Sequence, residues 1–142
     1  MTRQVYVTYC DDVRLEVNNK VSLMGVYAEV MYLSAFPAHI PKLCAVVNAT
    51  TEPDKPFKDF YIQAKLNNAV IGEMQVTEAE LETQMGQAPG SALKSVQAQM
   101  IFSPVALKEP AVLTITFRSE GVSYECNSLE LVAPPDGMVL VV

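Results

Sequence analysis

The sequence predicts an all-β protein, a two-sheet antiparallel β-sandwich of Ig-like or jelly-roll-like character with eight or nine strands and one short helix. Apolar and polar residues alternate over short segments, and residues typical of turns separate these segments. No series of long helical segments lies between them, as a parallel α/β sheet would require. A chain of 142 residues is long enough for one domain, residues 1–142, to bury a core without disulfides or metals.

The first predicted strand spans residues 4–17. Its apolar residues fall on one face of the strand: Val5, Val7, Tyr9, Val13, Leu15 and Val17. Asp11 is the exception on that face, and the segment is long for a single strand. We therefore predict a bend or bulge near Cys10–Asp12 that divides the strand and accommodates the carboxylate of Asp11.

A hairpin follows, with Asn18–Lys20 as its loop. A two-residue turn would place apolar side chains opposite charged ones, whereas a three-residue loop pairs Val17 with Val21 and Leu15 with Leu23. Asparagine suits such a loop because its short side chain tolerates positive φ. The pattern therefore predicts a three-residue hairpin loop here.

Two later hairpins follow from the same reasoning. A loop at Asn67–Ala69 is predicted to pair Leu66 with Val70, Ala64 with Gly72, Ile62 with Met74 and Phe60 with Val76. Across residues 118–121, Leu113, Ile115 and Phe117 are predicted to oppose Cys126, Tyr124 and Val122, and Gly121 supplies a permissive backbone.

The remaining strands are predicted at 21–33, 42–50, 60–66, 70–76, 95–103, 111–118 and 122–132. Loops rich in proline or glycine are predicted at 36–41, 51–56, 86–90 and 104–110. Thr77–Met85 is the one helical candidate, because Thr77 and Glu80 have the spacing of a capping box.

Composition restricts the classes of partner. The net charge of -6 and the pI near 4.7 argue against direct binding to nucleic acid or to an anionic membrane. Apolar runs such as Leu43–Val47 are too short to span a bilayer, and the N-terminus lacks the apolar segment of a secretion signal. We expect a soluble, intracellularly made protein whose partner is a protein or an assembled particle.

Residues typical of catalysis are few. His39 is the only histidine, and no glycine-rich phosphate loop is present. Cys10, Cys44 and Cys126 lie in apolar strand patterns, so we interpret them as reduced core thiols. A metal site that gathers His39 and the three cysteines would require the fold to bring them together. We predict no enzyme activity, no catalytic residue, no cofactor and no metal.

The densest polar cluster comprises Asp11, Asp12, Arg14 and Glu16. Two aspartates could hold a divalent metal, and Asp12 with Glu16 could form an acid/base pair. In a strand, however, adjacent aspartates point to opposite faces, and Arg14 lies between Asp12 and Glu16. We favour an exposed line of charges for protein contact, with Asp11 capping a bulge or pairing with a lysine or arginine.

The C-terminal segment is a second candidate contact surface. After Pro134-Pro135 the chain ends in five apolar residues with high β propensity: Met138, Val139, Leu140, Val141 and Val142. The segment either folds back as an edge strand, which we favour, or adds to the sheet of a neighbouring subunit and so makes a homo-oligomer.

Residues 10–27 read Cys-Asp-Asp-Val-Arg-x-Glu-x-x-Asn-Lys-x-Ser-Leu-Met-Gly-Val-Tyr, and Phe36-Pro37 and Ile40-Pro41-Lys42-Leu43 follow. This pattern resembles the N-terminal signature of an uncharacterised family of small proteins from bacteria, phages and prophages. The resemblance covers roughly residues 8–47. It implies a β-rich domain and a phage or prophage setting, and it transfers no catalytic residue.

Together these observations predict a non-enzymatic domain for protein–protein interaction, an accessory structural protein of a phage or prophage head or tail that is incorporated in the virion. The alternative is a phage-encoded intracellular inhibitor that binds a host protein through an acidic surface, for which Glu73, Glu78, Glu80 and Glu82 are the candidates.

Overall fold

The computed structural model describes residues 3–52, 54–80, 95–138 and 140 of the chain. These residues form twelve strands: β1 (Gln4–Leu15), β2 (Val21–Tyr27), β3 (Val30–Tyr32), β4 (Ala38–Ile40), β5 (Leu43–Thr50), β6 (Phe60–Leu66), β7 (Ala69–Val76), β8 (Ser95–Phe102), β9 (Val105–Leu107), β10 (Ala111–Ser119), β11 (Val122–Glu125) and β12 (Leu129–Val132).

The strands form two main sheets. The first sheet has the order β2-β1-β5-β8 and is antiparallel throughout, and the second has the order β3-β12-β10-β6-β7, with β11 also paired to β10. In the second sheet β3 and β12 run parallel, whereas the other pairs are antiparallel. β4 and β9 form a separate two-stranded sheet. The prediction of an all-β protein with two principal sheets is confirmed.

The inner faces of both sheets contribute to one core. Val7 and Tyr9 of β1, Ile62 of β6, and Ile115 and Phe117 of β10 belong to the same cluster of buried side chains. β10 shows the cause most clearly, because its buried and exposed residues alternate along the strand, as expected when one face of a sheet is covered. Full burial of one such side chain stabilises the fold by about 1.5–3 kcal/mol.

The strand count exceeds the predicted eight or nine because two predicted strands are interrupted and two short strands lie in predicted loops. The predicted strand 21–33 is divided into β2 and β3, and the predicted strand 122–132 is divided into β11 and β12. β4 and β9, of three residues each, lie in segments predicted as loops. Segments this short carry too few residues for a clear alternation of apolar and polar positions.

The predicted division of the first strand is wrong. β1 runs without interruption from Gln4 to Leu15, and its register with β2 is the same on both sides of Asp11. The adjustment occurs in the neighbouring strand, where Gly25 stands opposite Asp11 and has φ of 69°. A glycine in the partner strand therefore accommodates the carboxylate that was expected to require a bulge in β1.

The first hairpin is two residues out of the predicted register. Leu15 faces Val21 and Val13 faces Leu23, because the loop covers residues 16–20 and is closed by a bond from the Glu16 N–H to the Lys20 carbonyl at 2.8 Å. Asn18 has φ of 66°, as predicted for an asparagine in this loop. A shift of two residues leaves every side chain on its predicted face.

The second and third hairpins both use two-residue turns. In the second, three of the four predicted pairs are confirmed, and an irregularity beside Ala64 then brings Leu66 opposite Ala69 rather than Val70. In the third, Phe117 faces Tyr124 instead of Val122 across a turn at residues 120–121. Both turn residues have positive φ, including the predicted Gly121 at 79°.

The start of the predicted helix agrees with the capping rule. Residues 78–80 are helical, and the Thr77 hydroxyl oxygen accepts a bond from the Glu80 N–H at 3.3 Å. This is the bond expected from an N-cap threonine to the third helical residue. The rest of the candidate helix, residues 81–85, lies outside the described residues.

A single side-chain amide joins the two sheets at the edge of β1. Asn127 lies between β11 and β12; its Oδ1 accepts from the Val7 N–H and its Nδ2 donates to the Val7 carbonyl, both at 2.8 Å. The Tyr9 hydroxyl donates to the Asn127 carbonyl, also at 2.8 Å. Because β2 pairs with β1 only from Tyr9 onward, the Asn127 amide supplies the next pair of bonds that a strand would have made.

Candidate interaction surface

The two strands of the first hairpin extend beyond the sheet that carries them. β1 pairs with β5 only as far as Cys10 and Cys44, whereas its pairing with β2 continues to Leu15 and Val21. Residues 11–25 therefore form a two-stranded ribbon with β5 on neither side, which we call the β1–β2 arm. The cause lies in the sequence, because β5 begins at Leu43 and is too short to accompany β1 along its whole length.

The β1–β2 arm exposes large apolar side chains. Leu15 is 76% exposed and Val17 is 75% exposed, and Met24 is 48% exposed on the other strand. Val26, just beyond the arm, is 57% exposed. Met24 lies on the opposite face of the ribbon from Leu15, because it pairs with Asp12 whereas Leu15 pairs with Val21. Isolated apolar residues are common on protein surfaces, but Leu15 and Val17 lie close together in the sequence at the tip of a projecting hairpin, where they are suited to contact with another protein.

The base of the arm is attached to the body by apolar contacts and one ion pair. Val13 and Leu23 pack against a small buried cluster formed by Cys10, Cys44 and Val46, which is separate from the main core. The Lys42 ammonium lies 2.6 Å from the carboxylate of Asp12. This bond lowers the pKa of Asp12, and the same bond raises the pKa of Lys42. Because both side chains are partly exposed, the pair orients the arm more than it stabilises the fold.

Asp11 has its structural partners on β2. Its carboxylate accepts a hydrogen bond from the Tyr27 hydroxyl and lies over Gly25, whose missing side chain leaves the space. Burial, together with this bond to Asp11, raises the pKa of Tyr27. The expected pairing of Asp11 with a lysine or arginine is therefore wrong, and the lysine pairs with Asp12 instead.

Arg14 and Glu16 lie farther along the same strand. Arg14 stands opposite Ser22 and is exposed, and the backbone of Glu16 closes the hairpin loop. Asp11, Asp12, Arg14 and Glu16 thus all lie on the β1–β2 arm or at its loop. The sequence identified this segment through its charges and placed Leu15 and Val17 on the apolar face of the first strand, whereas the structure exposes both.

The C-terminal candidate residues are described only in part. Met138 is exposed, and its N–H donates to the Pro135 carbonyl at 3.0 Å in a turn. Met138 and Leu140 lie in no strand. Val139, Val141 and Val142 lie outside the described residues, so neither a returning strand nor a strand added to a neighbour is tested.

The residues considered for a metal site occupy different places. His39 is exposed on β4, Cys10 and Cys44 lie in the small buried cluster, and Cys126 packs at the margin of the main core. All three cysteines are free. Within the described ranges, no three histidine, cysteine, aspartate or glutamate side chains are arranged to hold a metal ion. The described residues also contain no helix long and apolar enough to cross a membrane.

A polar network at the opposite end of β1 was not anticipated from the sequence. The Arg3 guanidinium lies 2.6 Å from the carboxylate of Glu120, donates to the Thr51 hydroxyl at 3.0 Å and covers the ring of Phe57. Ser119, which is buried, donates to the Asp59 carbonyl at 2.6 Å. These groups satisfy one another, so the network holds the N-terminal strand to the second sheet. Its partners lie more than 45 residues apart in the chain, so spacing could not reveal them.

Comparison with family models gives a match over most of the chain. A family model described as a family of unknown function, DUF6941, matches residues 5–130 and therefore includes both sheets and the β1–β2 arm. No curated protein matches the sequence.

Proposed function

The chain belongs to DUF6941, a family of unknown function, and on that premise we propose that it is a non-enzymatic protein–protein interaction domain, an accessory structural protein of a phage or prophage particle. The observation that carries this proposal is the exposed apolar surface of the β1–β2 arm. The arm extends beyond the end of the β1–β5 pairing, so its exposed side chains are accessible to a partner.

The energetics favour protein contact at this surface. Burial of one valine or leucine side chain in an interface contributes about 1.5–3 kcal/mol. Leu15 and Val17 are each about three-quarters exposed, so most of their apolar surface can still be buried by a partner. Charged residues such as Arg14 and Lys20 lie beside them and would select among partners by electrostatic complementarity.

The phage or prophage setting is supported by the resemblance of the N-terminal segment. The residues that carry it, 10–27, are those of the β1–β2 arm and its base. An assembly role also fits an acidic chain, because a net charge of -6 keeps free subunits apart until a specific surface brings them onto a particle.

Substitution of both Leu15 and Val17 by serine tests the proposal. The particles are purified from a strain that lacks the gene for this chain. We expect the variant to bind them about a hundredfold more weakly than the wild type, because two apolar side chains no longer enter the interface. The measurement is a titration of particles with the purified chain, followed by sedimentation and quantitative blotting. The melting temperature should not fall, because both side chains are exposed in the free protein.

Val122→Ser is the matched control. Val122 is also an exposed valine, at 52%, but it lies beside the turn that contacts Arg3, at the other end of β1. We expect this variant to bind like the wild type. Failure of the wild-type chain to bind particles, combined with recovery of a stoichiometric host protein from cells, would support the inhibitor alternative instead.

A further inference from the structure

Cys10 and Cys44 face each other across two neighbouring strands. They are direct Cα partners in the antiparallel pair formed by β1 and β5, and both are 0% exposed. Side chains of directly opposed residues project from the same face of a sheet. The two thiols therefore lie side by side in the small buried cluster at the base of the β1–β2 arm.

Cys10 and Cys44 form a hydrogen-bonded pair rather than a non-hydrogen-bonded pair of the antiparallel ladder, as the direction of the backbone groups of Val7 shows. Val7 directs its N–H and carbonyl toward Asn127, away from β5. Backbone groups alternate in direction along a strand, so Cys10, three residues later, directs its own groups toward β5. Opposed Cα atoms in such a hydrogen-bonded pair are about 5.5 Å apart, which lies within the range of about 4.4–6.8 Å found for disulfides.

One contact shows the direction of a sulfur atom. The Cys44 Sγ lies 3.7 Å from the Asp11 carbonyl oxygen, so it extends from β5 toward the backbone of β1 beside Cys10. Cys126 is not part of this cluster. A disulfide of Cys10 is therefore expected with Cys44 and not with Cys126.

We propose that Cys10 and Cys44 form an oxidisable dithiol, and that a small disulfide oxidant of the glutathione disulfide class converts it to a cross-strand disulfide that fixes the base of the β1–β2 arm to β5. One protein thiolate attacks the oxidant, forming a mixed disulfide and releasing one glutathione. The second thiolate attacks the protein sulfur of that mixed disulfide and releases the other glutathione. Two electrons pass to the oxidant, and the two protein thiol protons are taken up as two glutathione thiols form.

Access to the thiols requires a local opening. Burial raises the pKa of Cys10 and of Cys44, so few thiolates form in the closed state and oxidation there is slow. The pairing of β1 with β5 ends at this position, and beyond it the arm is held by Val13, Leu23 and one partly exposed ion pair. Local separation of β1 from β5 at Cys10 and Cys44 therefore costs less than global unfolding.

Incubation of the full chain with glutathione disulfide, with and without urea below the unfolding transition, tests the inference. We expect the intact mass to decrease by two hydrogen atoms, faster in urea, and protease mapping under non-reducing conditions to yield one peptide pair that joins positions 10 and 44. The oxidised form should melt at a higher temperature than the reduced form, because the bond constrains the unfolded chain.

Variants distinguish the predicted bond from other products. Cys126→Ala should oxidise like the wild type, whereas Cys44→Ala should yield no internal disulfide. Three results would overturn the inference. Both thiols could remain free through complete unfolding and refolding in the oxidant, the reaction could stop at a mixed disulfide with glutathione, or the bond formed could include Cys126. The mapping is done on the wild-type chain, so the outcome remains decisive even where a variant fails to fold.

Discussion

Replacement of Asn127 by alanine is expected to lower the free energy of unfolding by about 2–4 kcal/mol. The substitution removes both bonds of the amide to Val7 and leaves a backbone N–H and a carbonyl unpaired at a partly buried site. It also frees the loop whose carbonyl accepts the Tyr9 hydroxyl. Because the unpaired groups lose their partners without regaining full contact with water, the cost exceeds that of an ordinary surface hydrogen bond.

Chemical denaturation with hydrogen exchange at the Val7 amide measures this effect. Asn48→Ala serves as the control, since Asn48 also lies on the first sheet but its amide makes weaker bonds: it accepts an exposed bond from Gln97 and donates to the Val46 carbonyl at 3.5 Å. We expect the control to change the free energy of unfolding by less than about 0.5 kcal/mol. Equal stability of the two variants would contradict the assigned role of Asn127. Asn127→Asp should be destabilising too, because a carboxylate cannot donate to the Val7 carbonyl.

Gly25→Ala is expected to lower the free energy of unfolding by about 2–3 kcal/mol. Gly25 has φ of 69°, where an alanine is strained, and a Cβ built there would lie 2.8 Å from Cγ and 3.1 Å from Cβ of Asp11. The carboxylate of Asp11 would have to leave the Tyr27 hydroxyl. The substitution therefore combines a conformational cost with the loss of a charge-assisted hydrogen bond.

Gly121→Ala separates these two costs. Gly121 has φ of 79°, and a Cβ there would meet no atom within 4 Å, so this variant carries the conformational cost alone. We expect about 1–2 kcal/mol for the control, less than for Gly25→Ala. In an Asp11→Ala background the cost of Gly25→Ala should fall toward that of the control, measured as a double-mutant cycle by denaturation. An unchanged cost in that background would show that the carboxylate is not the cause.

Both sets of variants remove a contact made by β1, the strand from which the β1–β2 arm extends. Asn127 holds β1 to the second sheet, and the pair of Asp11 and Gly25 holds the arm's two strands together. We therefore expect folded populations of Gly25→Ala to bind particles more weakly than their stability alone would require, because the arm is reoriented. Asn127→Ala should lose particle binding only to the extent that it unfolds.

The positions of the hairpins could be predicted from local chemistry. Asn18, Asn67 and Gly121 occupy left-handed conformations, which asparagine and glycine adopt at low cost. The assignment of side chains to the two faces of each strand could also be predicted, because the side-chain period of a strand is two. The exact pairs could not, since a shift of two residues leaves the apolar face unchanged, as the first and third hairpins show.

The charged residues of the candidate surface could be predicted from the sequence, but its exposed apolar residues could not. The charged residues from Asp11 to Glu16 drew attention to the correct segment, and the structure places all of them on the β1–β2 arm or its loop. The exposure of Leu15 and Val17 could not be foreseen, because an apolar residue in a strand pattern is ordinarily buried. Their exposure follows from the difference in length between β1 and β5, which concerns two segments more than 25 residues apart.

Local information in the chain was sufficient for the all-β class, the faces of the strands and the approximate positions of the turns, because alternation and backbone preference act between near neighbours. The tertiary structure alone decided which strands pair, where β1 outruns its neighbour, that Cys10 stands opposite Cys44, and that Asn127 completes an edge 120 residues away. Such contacts depend on how whole strands are placed relative to one another, and the pattern of a single segment does not determine that placement.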